Sequence, residues 1–344
     1  MTYQVFPELD PVFETLWLLF VSNNLDAVQE ETKKAISDLG FDGEQFYAQH
    51  FKLFEKYVEA FLKNRVQSPE DGFFFAEKDT YYSLMLLTLI IENKDWLTST
   101  EGLTDDLINA QIFHICKEES DDDDTQIEIP STLESIIQFL DSSDFEVNVK
   151  WKILRIMQHP TKYITALIHI INANLEAYDK AAKEIGKPLA KLLGQYEELL
   201  NNQGDKTFKE LKMKLSQDSP IYPTLILPLS QLIFEKSCYY GLLCEKIIED
   251  GRSRLKSKES LLVRLKALSD SSKLEIIASL KVSPKYNLEI ARQLGLTAAT
   301  MSHHMNALLN CGFVGIEKRE GKVYYHLKKE NLKGMIEDLE ETLL

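Results

Sequence analysis

Apolar residues recur along most of this chain at the three- and four-residue steps of an amphipathic helix. In "FYAQHFKLFEKYVEAFL" the residues Tyr47, Phe51, Phe54, Val58 and Phe61 fall on one helical face, a stripe that reads as core. "SPEDG" at 68–72 breaks the chain before another apolar helix that runs through the early 90s. Further helices are expected over 131–141, 145–158, 160–185, 187–202 and 230–250. "PTLILPL" at 223–229 is the best strand candidate, and "TQIEI" at 125–129 could pair with it. "ESDDDDTQIEIP" at 119–130 reads as a solvated acidic loop, because it lacks the alternating ligands and glycine of a calcium loop. Residues 1–250 therefore read as a large helical domain, with no internal repeat apparent.

The pattern changes at "EDGRSRLKSKES", 249–260, where an acidic, apolar chain turns basic and polar and Gly251 supplies a helix stop. A second domain is expected over 256–344. There "LLVRLKALSDSSKLEIIASL" gives two helices broken at "SDSS", where Ser and Asp compete for turn and cap hydrogen bonds. In "NLEIARQLGLTAATMSHHMNALLNCG", Asn287 caps a short helix to Leu294, a tight turn passes through Gly295, Thr297 caps a second helix and Gly312 ends it. That is helix-turn-helix spacing. "FVGIEKREGKVYYHLKK" reads as a hairpin turning at Gly321, and "NLKGMIEDLEETLL" returns to a helical period. A basic hairpin beside a helix-turn-helix is a winged helix with a two-stranded wing. The fold class is mostly α.

Composition adds bounds. The 344 residues, 44% hydrophobic, are enough for about two domains. The longest apolar runs, "LMLLTLII" and "ITALIHII", fall far short of the roughly 18 residues that a membrane span needs. The first twenty residues carry acids before their apolar run, unlike a secretory signal, so a cytoplasmic protein is expected. Four scattered cysteines at 116, 238, 244 and 311 read as reduced thiols. The net charge of −15 argues against nucleic acid until it is divided by position. Residues 256–344 carry 14 Lys/Arg against 11 Asp/Glu, a net of +3, which leaves 25 against 43 and −18 for residues 1–255. An acidic body with a DNA-binding tail has this asymmetry.

The adjacent His303 and His304 raise the question of metal. Successive side chains on a helix diverge by about 100°, and the positions three and four after His303 are Asn306 and Ala307, which is poor geometry for zinc. On the same period Ala298, Met301, His304, Met305 and Leu308 share the packed side, while Ala299, His303 and Asn306 point the opposite way with Thr300 and Ser302 on the flanks. A helix that reads a major groove needs one apolar face held by its own domain and one face of small or hydrogen-bonding residues. The candidate DNA contacts are Thr297, Ala299, Thr300, Ser302, His303 and Asn306 on the helix, with Lys318, Arg319 and Lys322 in the wing giving phosphate contacts. His304 is assigned to packing and hydrogen bonding at the helix edge. No metal or other cofactor is assigned, and Cys311 reads as a small packed residue.

The words "LKALSDSSKLEIIASL", "LEIARQLGLTAATMSHHMNALLNCGFV" and "REGKVYYHL" resemble the DNA-binding domain of ArsR/SmtB-type transcriptional regulators over 260–340, about a quarter of the chain. Family members often read Ser-x-His-Leu where this chain has "SHHM". The resemblance implies a homodimer formed by the first and last helices of the module, here "LLVRLKALS" and "NLKGMIEDLEETLL". Two copies about 34 Å apart would then read a palindromic site. The metal sites known in the family do not carry over. Tyr286 and Leu288 stand where a Cys-x-Cys pair would be, and the last helix has no histidine.

For residues 1–250 two roles are open: sensing a small apolar effector through aromatic-rich stretches such as "GFFFAEKDTYYSLMLL", or docking a protein partner on the acidic surface. An enzyme with a DNA-binding tail is the third alternative. No glycine-rich phosphate loop, nucleophile elbow or metal-ligand helix motif occurs in residues 1–255, so a non-enzymatic regulator is expected.

Overall fold

The computed structural model describes residues 4–38, 41–76, 80–118, 129–130, 132–141, 143, 145–201, 218–247, 258–286, 290, 293–294, 301, 304–305, 307–309, 311–319 and 322–344. At 80–81, 117–118, 201, 258–260, 286, 317–319 and 322–323 the backbone alone is described. The chain divides into two compact units: Met1–Gln29, Lys52–Glu198 and Ser219–Leu242 in the first, and Glu30–Phe51, Leu199–Asp218 and Leu243–Leu344 in the second.

The elements are mostly helical, as the periodicity indicates. They begin with α1 (Pro11–Asn23), α2 (Leu25–Asp38), α3 (Gly43–His50), α4 (Lys52–Asn64), α5 (Asp71–Phe75), α6 (Thr80–Glu92) and α7 (Asp105–Glu118). Next come α8 (Leu133–Asp141), α9 (Val147–Gln158), α10 (Pro160–Glu184) and α11 (Gly186–Asn201). In the first unit α10 is the spine, packed against α1, α4, α7 and α9. Asp10 starts α1 by accepting from the Val12 and Phe13 amides at 3.1 and 3.4 Å, and proline occupies the first turn of α1 and of α10, where its missing N–H costs nothing. No helix among the described residues is long and apolar enough to cross a membrane.

The aromatic stripe expected on one helix lies on two. Phe51 ends α3, its N–H donating to the Tyr47 carbonyl at 2.9 Å, and α4 begins at Lys52. Tyr47, Phe51, Phe54, Val58 and Phe61 are nonetheless all buried.

A larger correction concerns 230–250, expected as helix. This stretch contains β2 (Gln231–Ile233) and β3 (Cys238–Gly241), with helix only at 244–247 among its described residues. Of the strand expected over 223–229, only 223 and 224 are strand, as the end of β1 (Ile221–Thr224), and 225–229 are bends and turns. The sheet order is β1-β3-β2, with β1 parallel to β3 in the register Ile221↔Cys238 and β2 antiparallel to it. A parallel bridge joins Val5 to Ile221 on the other side of β1. β1 therefore pairs with β3; of the "TQIEI" partner, 125–128 lie outside the described residues. "CYYG" is buried at every position, so its side chains fill both faces and no alternation marks it as a strand.

Most of the expected acidic loop (119–128) and the basic junction (248–257) also lie outside the described residues. Beyond the junction, α12 (Lys258–Ser269) and α13 (Ser271–Val282) break at Asp270, whose carboxylate accepts from the Lys273 amide at 2.9 Å. β4 (Lys285–Tyr286), β5 (Val314–Arg319), β6 (Lys322–Leu327) and α14 (Lys329–Leu343) complete the chain. The hairpin anticipated from the sequence is β5–β6, and β4 adds an unanticipated third strand in the order β4-β6-β5.

Candidate nucleic-acid interface

The core of the carboxy-terminal module is built from Leu261 of α12, Ile276 and Leu280 of α13, Ile290, Met301, Met305, Leu308, Phe313, Val314 and Met335 of α14. Ile290, Gln293 and Leu294 are helical, as are Met301, His304, Met305 and Ala307–Leu309, in agreement with two helices flanking the turn expected at Gly295. Gly295 itself lies outside the described residues. The second of these helices is held by the side that the sequence assigns to packing: Met301, Met305 and Leu308 are fully buried. Gly312 closes it at φ +71°, with its N–H on the Leu309 carbonyl at 2.9 Å and the Phe313 N–H on Leu308 at 3.0 Å. This is the left-handed cap that glycine adopts without penalty.

His304 sits at the edge of this packed side, its side chain 13% exposed, with Nδ1 3.9 Å from Oδ1 of Asp270. The Asp270 carboxyl is held below its ordinary range, first by the Lys273 amide and then by the charges of Lys273 and His304. Lys273 Nζ stands 3.6 Å from its Oδ2. Cys311 packs partly buried against the core, and burial pushes its thiol up, away from the reactive thiolate.

Gln293, in the first helix of the pair, accepts from Ser279 Oγ of α13 at 2.9 Å and from Lys285 Nζ of β4 at 2.8 Å. β4 in turn pairs with the wing, Lys285 opposite Tyr325. The wing register sets Arg319 opposite Lys322.

Of the sequence-assigned contacts, Thr297, Ala299, Thr300, Ser302, His303 and Asn306 lie outside the described residues, as does Gly321. For Lys318, Arg319 and Lys322 the strand backbone is described and brings the three to the end of one hairpin. Sequence reasoning missed Asp270 as the neighbour of His304 and Gln293 as the joint between helix pair and wing. Asp270 was visible as a capping residue, but its approach to a helix some thirty residues later has no local signal.

A family model described as "Bacterial regulatory protein, arsR family" matches residues 270–315. Proteins described as "HTH-type transcriptional regulator CmtR" from Mycobacterium tuberculosis and Mycobacterium bovis are 32% identical over 88 residues, covering 25% of this chain and 75% of theirs. No solved structure matches.

Proposed function

Because the chain belongs to the bacterial ArsR family and is a DNA-binding transcriptional regulator, we propose that it acts in the cytoplasm as a homodimeric, non-enzymatic repressor of a palindromic site. The helix over 297–310 and the wing over 313–327 read the site, residues 256–344 bind DNA and dimerise, and residues 1–250 sense an apolar effector. The observation that carries this reading is the burial of Met301, Met305 and Leu308 in the module's own core. A helix held on that side turns the positions half a turn away, Ala299, His303 and Asn306, from its core.

Within this reading His303, Thr300, Ser302 and Asn306 contact base edges, with Thr297 and Ala299 at the helix start, and Lys318, Arg319 and Lys322 neutralise phosphates. Dimerisation is supported by exposed apolar side chains on α12 and α14: Leu262 at 51%, Ile336 at 64% and Leu343. The −18 body would repel phosphate and leave only the winged end on the duplex.

The test is selection of bound duplexes from random fragments with the full chain, repeated for two variants. His303→Ala loses sequence preference; Arg319→Ala binds all sequences more weakly and lowers the salt slope by about 1. Unchanged profiles for both variants would overturn the assignment.

A second reading, regulation by a protein partner, is favoured by α9. Val147 and Trp151, one turn apart, are exposed, Trp151 at 61%, between the cations Lys150 and Arg155 of an otherwise acidic body. Tryptophan and arginine are the residue types that dominate protein interfaces. Under this reading Trp151→Glu abolishes the regulatory response and leaves DNA affinity unchanged, whereas under effector sensing it changes neither.

A further inference from the structure

The apolar contacts that seat the reading helix are non-directional, and two of the three are made by methionine, a flexible side chain that adapts to small shifts. They fix the depth of the helix better than its rotation about its own axis. A rotation of a few degrees matters, because base-edge hydrogen bonds depend steeply on distance and angle. His304 is the described polar side chain of that helix lying against another element. Its partner there, Asp270, is itself fixed by the cap hydrogen bond to Lys273 N.

We propose that His304 is a positioning residue: its imidazole, facing the capping carboxylate of Asp270, locks the rotation of the reading helix on α13, and protonation of the ring tightens the lock. This rests on the DNA-reading function proposed above. At 3.9 Å the contact is too long for a hydrogen bond and is Coulombic, so it acts when the imidazole carries its proton. Histidine is the side chain whose ordinary titration falls between about pH 5 and 8, which makes pH the variable to test.

Among the described residues, the other charged or titratable groups at this corner are Lys273 of α13, Arg264 of α12 and Cys311 of the following turn. Lys273 opposes protonation of the ring, and Asp270, 3.9 Å from it, favours it. Arg264 is engaged by Asp338 of α14 at 2.6 Å, and the thiol of Cys311 is kept neutral by burial. Asp270 keeps its charge throughout, because its carboxyl lies below the ordinary range. The lock therefore predicts a pH response of binding that requires both His304 and Asp270.

The experiment uses the full chain as wild type, His304→Gln, Asp270→Asn and the double variant, with the best duplex from the selection. Asparagine caps a helix about as well as aspartate, so Asp270→Asn removes the charge and keeps the cap. Affinity is measured at pH 8 and pH 6 at one ionic strength. Wild type gains about fivefold more on acidification than any variant, the size of a partly exposed ion pair, and the three variants agree with one another. In parallel, the His304 ring is titrated by NMR without DNA; its midpoint falls in Asp270→Asn.

Equal pH responses in all four proteins, or an unmoved midpoint, would overturn the lock. A midpoint that moves in Asp270→Asn as expected, in a protein whose wild type binds no duplex, would overturn the DNA-reading function, and the positioning role with it.

Discussion

Asn331, in the first turn of α14, donates its Nδ2 to the carbonyl of Gly312 at 2.7 Å, tying the end of the helix that holds Met301, Met305 and Leu308 to the last helix of the module. Gly312 is at φ +71°, and a Cβ built on it would lie 3.1 Å from that same Nδ2. Gly312→Ala therefore meets two costs at once, a left-handed backbone with a side chain and a crowded amide. The expected loss is about 1–2 kcal/mol from the backbone term alone. Urea unfolding checks it, and a variant as stable as wild type would contradict the cap geometry.

Ile336 and Leu262 make the dimer proposal testable without touching the core. Both are largely exposed, so Ile336→Glu leaves the fold intact, with a stability change within about 0.5 kcal/mol. In a symmetric dimer each copy would bury the new charge, and sedimentation is expected to show a monomer. DNA affinity then falls to that of a half-site. A dimer that survives Ile336→Glu and Leu262→Glu together places the interface elsewhere.

What the sequence disclosed follows from how local each signal is. The helices from 133 to 201 and the cap at Asp270 rest on residues within one or two turns of each other, and they were legible. So was the packed side of the helix before Gly312, because Met301, Met305 and Leu308 repeat at helical spacing. Within 230–250 the helical period of "LLCEKII" is realised at 244–247, but it does not extend to 231–233 and 238–241, which are strands; "CYYG", buried on both faces, carries no alternation to mark it. The parallel partner of β1, the third strand of the wing and the approach of His304 to Asp270 join residues distant in sequence. Nothing in a local window encodes them.

Gly241, the last residue of β3, lies directly against the 227–228 backbone. A Cβ there would come within 2.4 Å of the Pro228 carbonyl oxygen and 2.7 Å of that of Leu227, both backbone atoms that cannot swing aside. Gly241→Ala must push the 227–228 segment away from the sheet, at an expected cost of about 1–3 kcal/mol. The measurement is the urea midpoint, and a loss below a few tenths of a kcal/mol would mean that the segment yields freely.

Glu14 is a fully buried carboxylate on α1 that joins the helix to the turn after β1. Its Oε1 accepts from Thr224 Oγ1 at 2.7 Å and from the Leu225 amide at 3.1 Å, and its Oε2 accepts from the Ile226 amide at 3.2 Å. Burial pushes the carboxyl up from 4.5 to about 7, overcoming the hydrogen bonds from Thr224 and the two amides that pull it down. The folded chain thus holds this proton more tightly than the unfolded chain. Its contribution to stability is complete below pH 4.5 and is lost as pH rises through about 7. A shift of this size corresponds to about 3 kcal/mol. Paired carboxylates elsewhere, such as Asp270, act in the opposite direction, so the quantity to measure is the stability of wild type minus that of Glu14→Gln. That difference should fall by about 3 kcal/mol between pH 4.5 and 8, and parallel urea curves for the two proteins across the range would show that Glu14 does not titrate there.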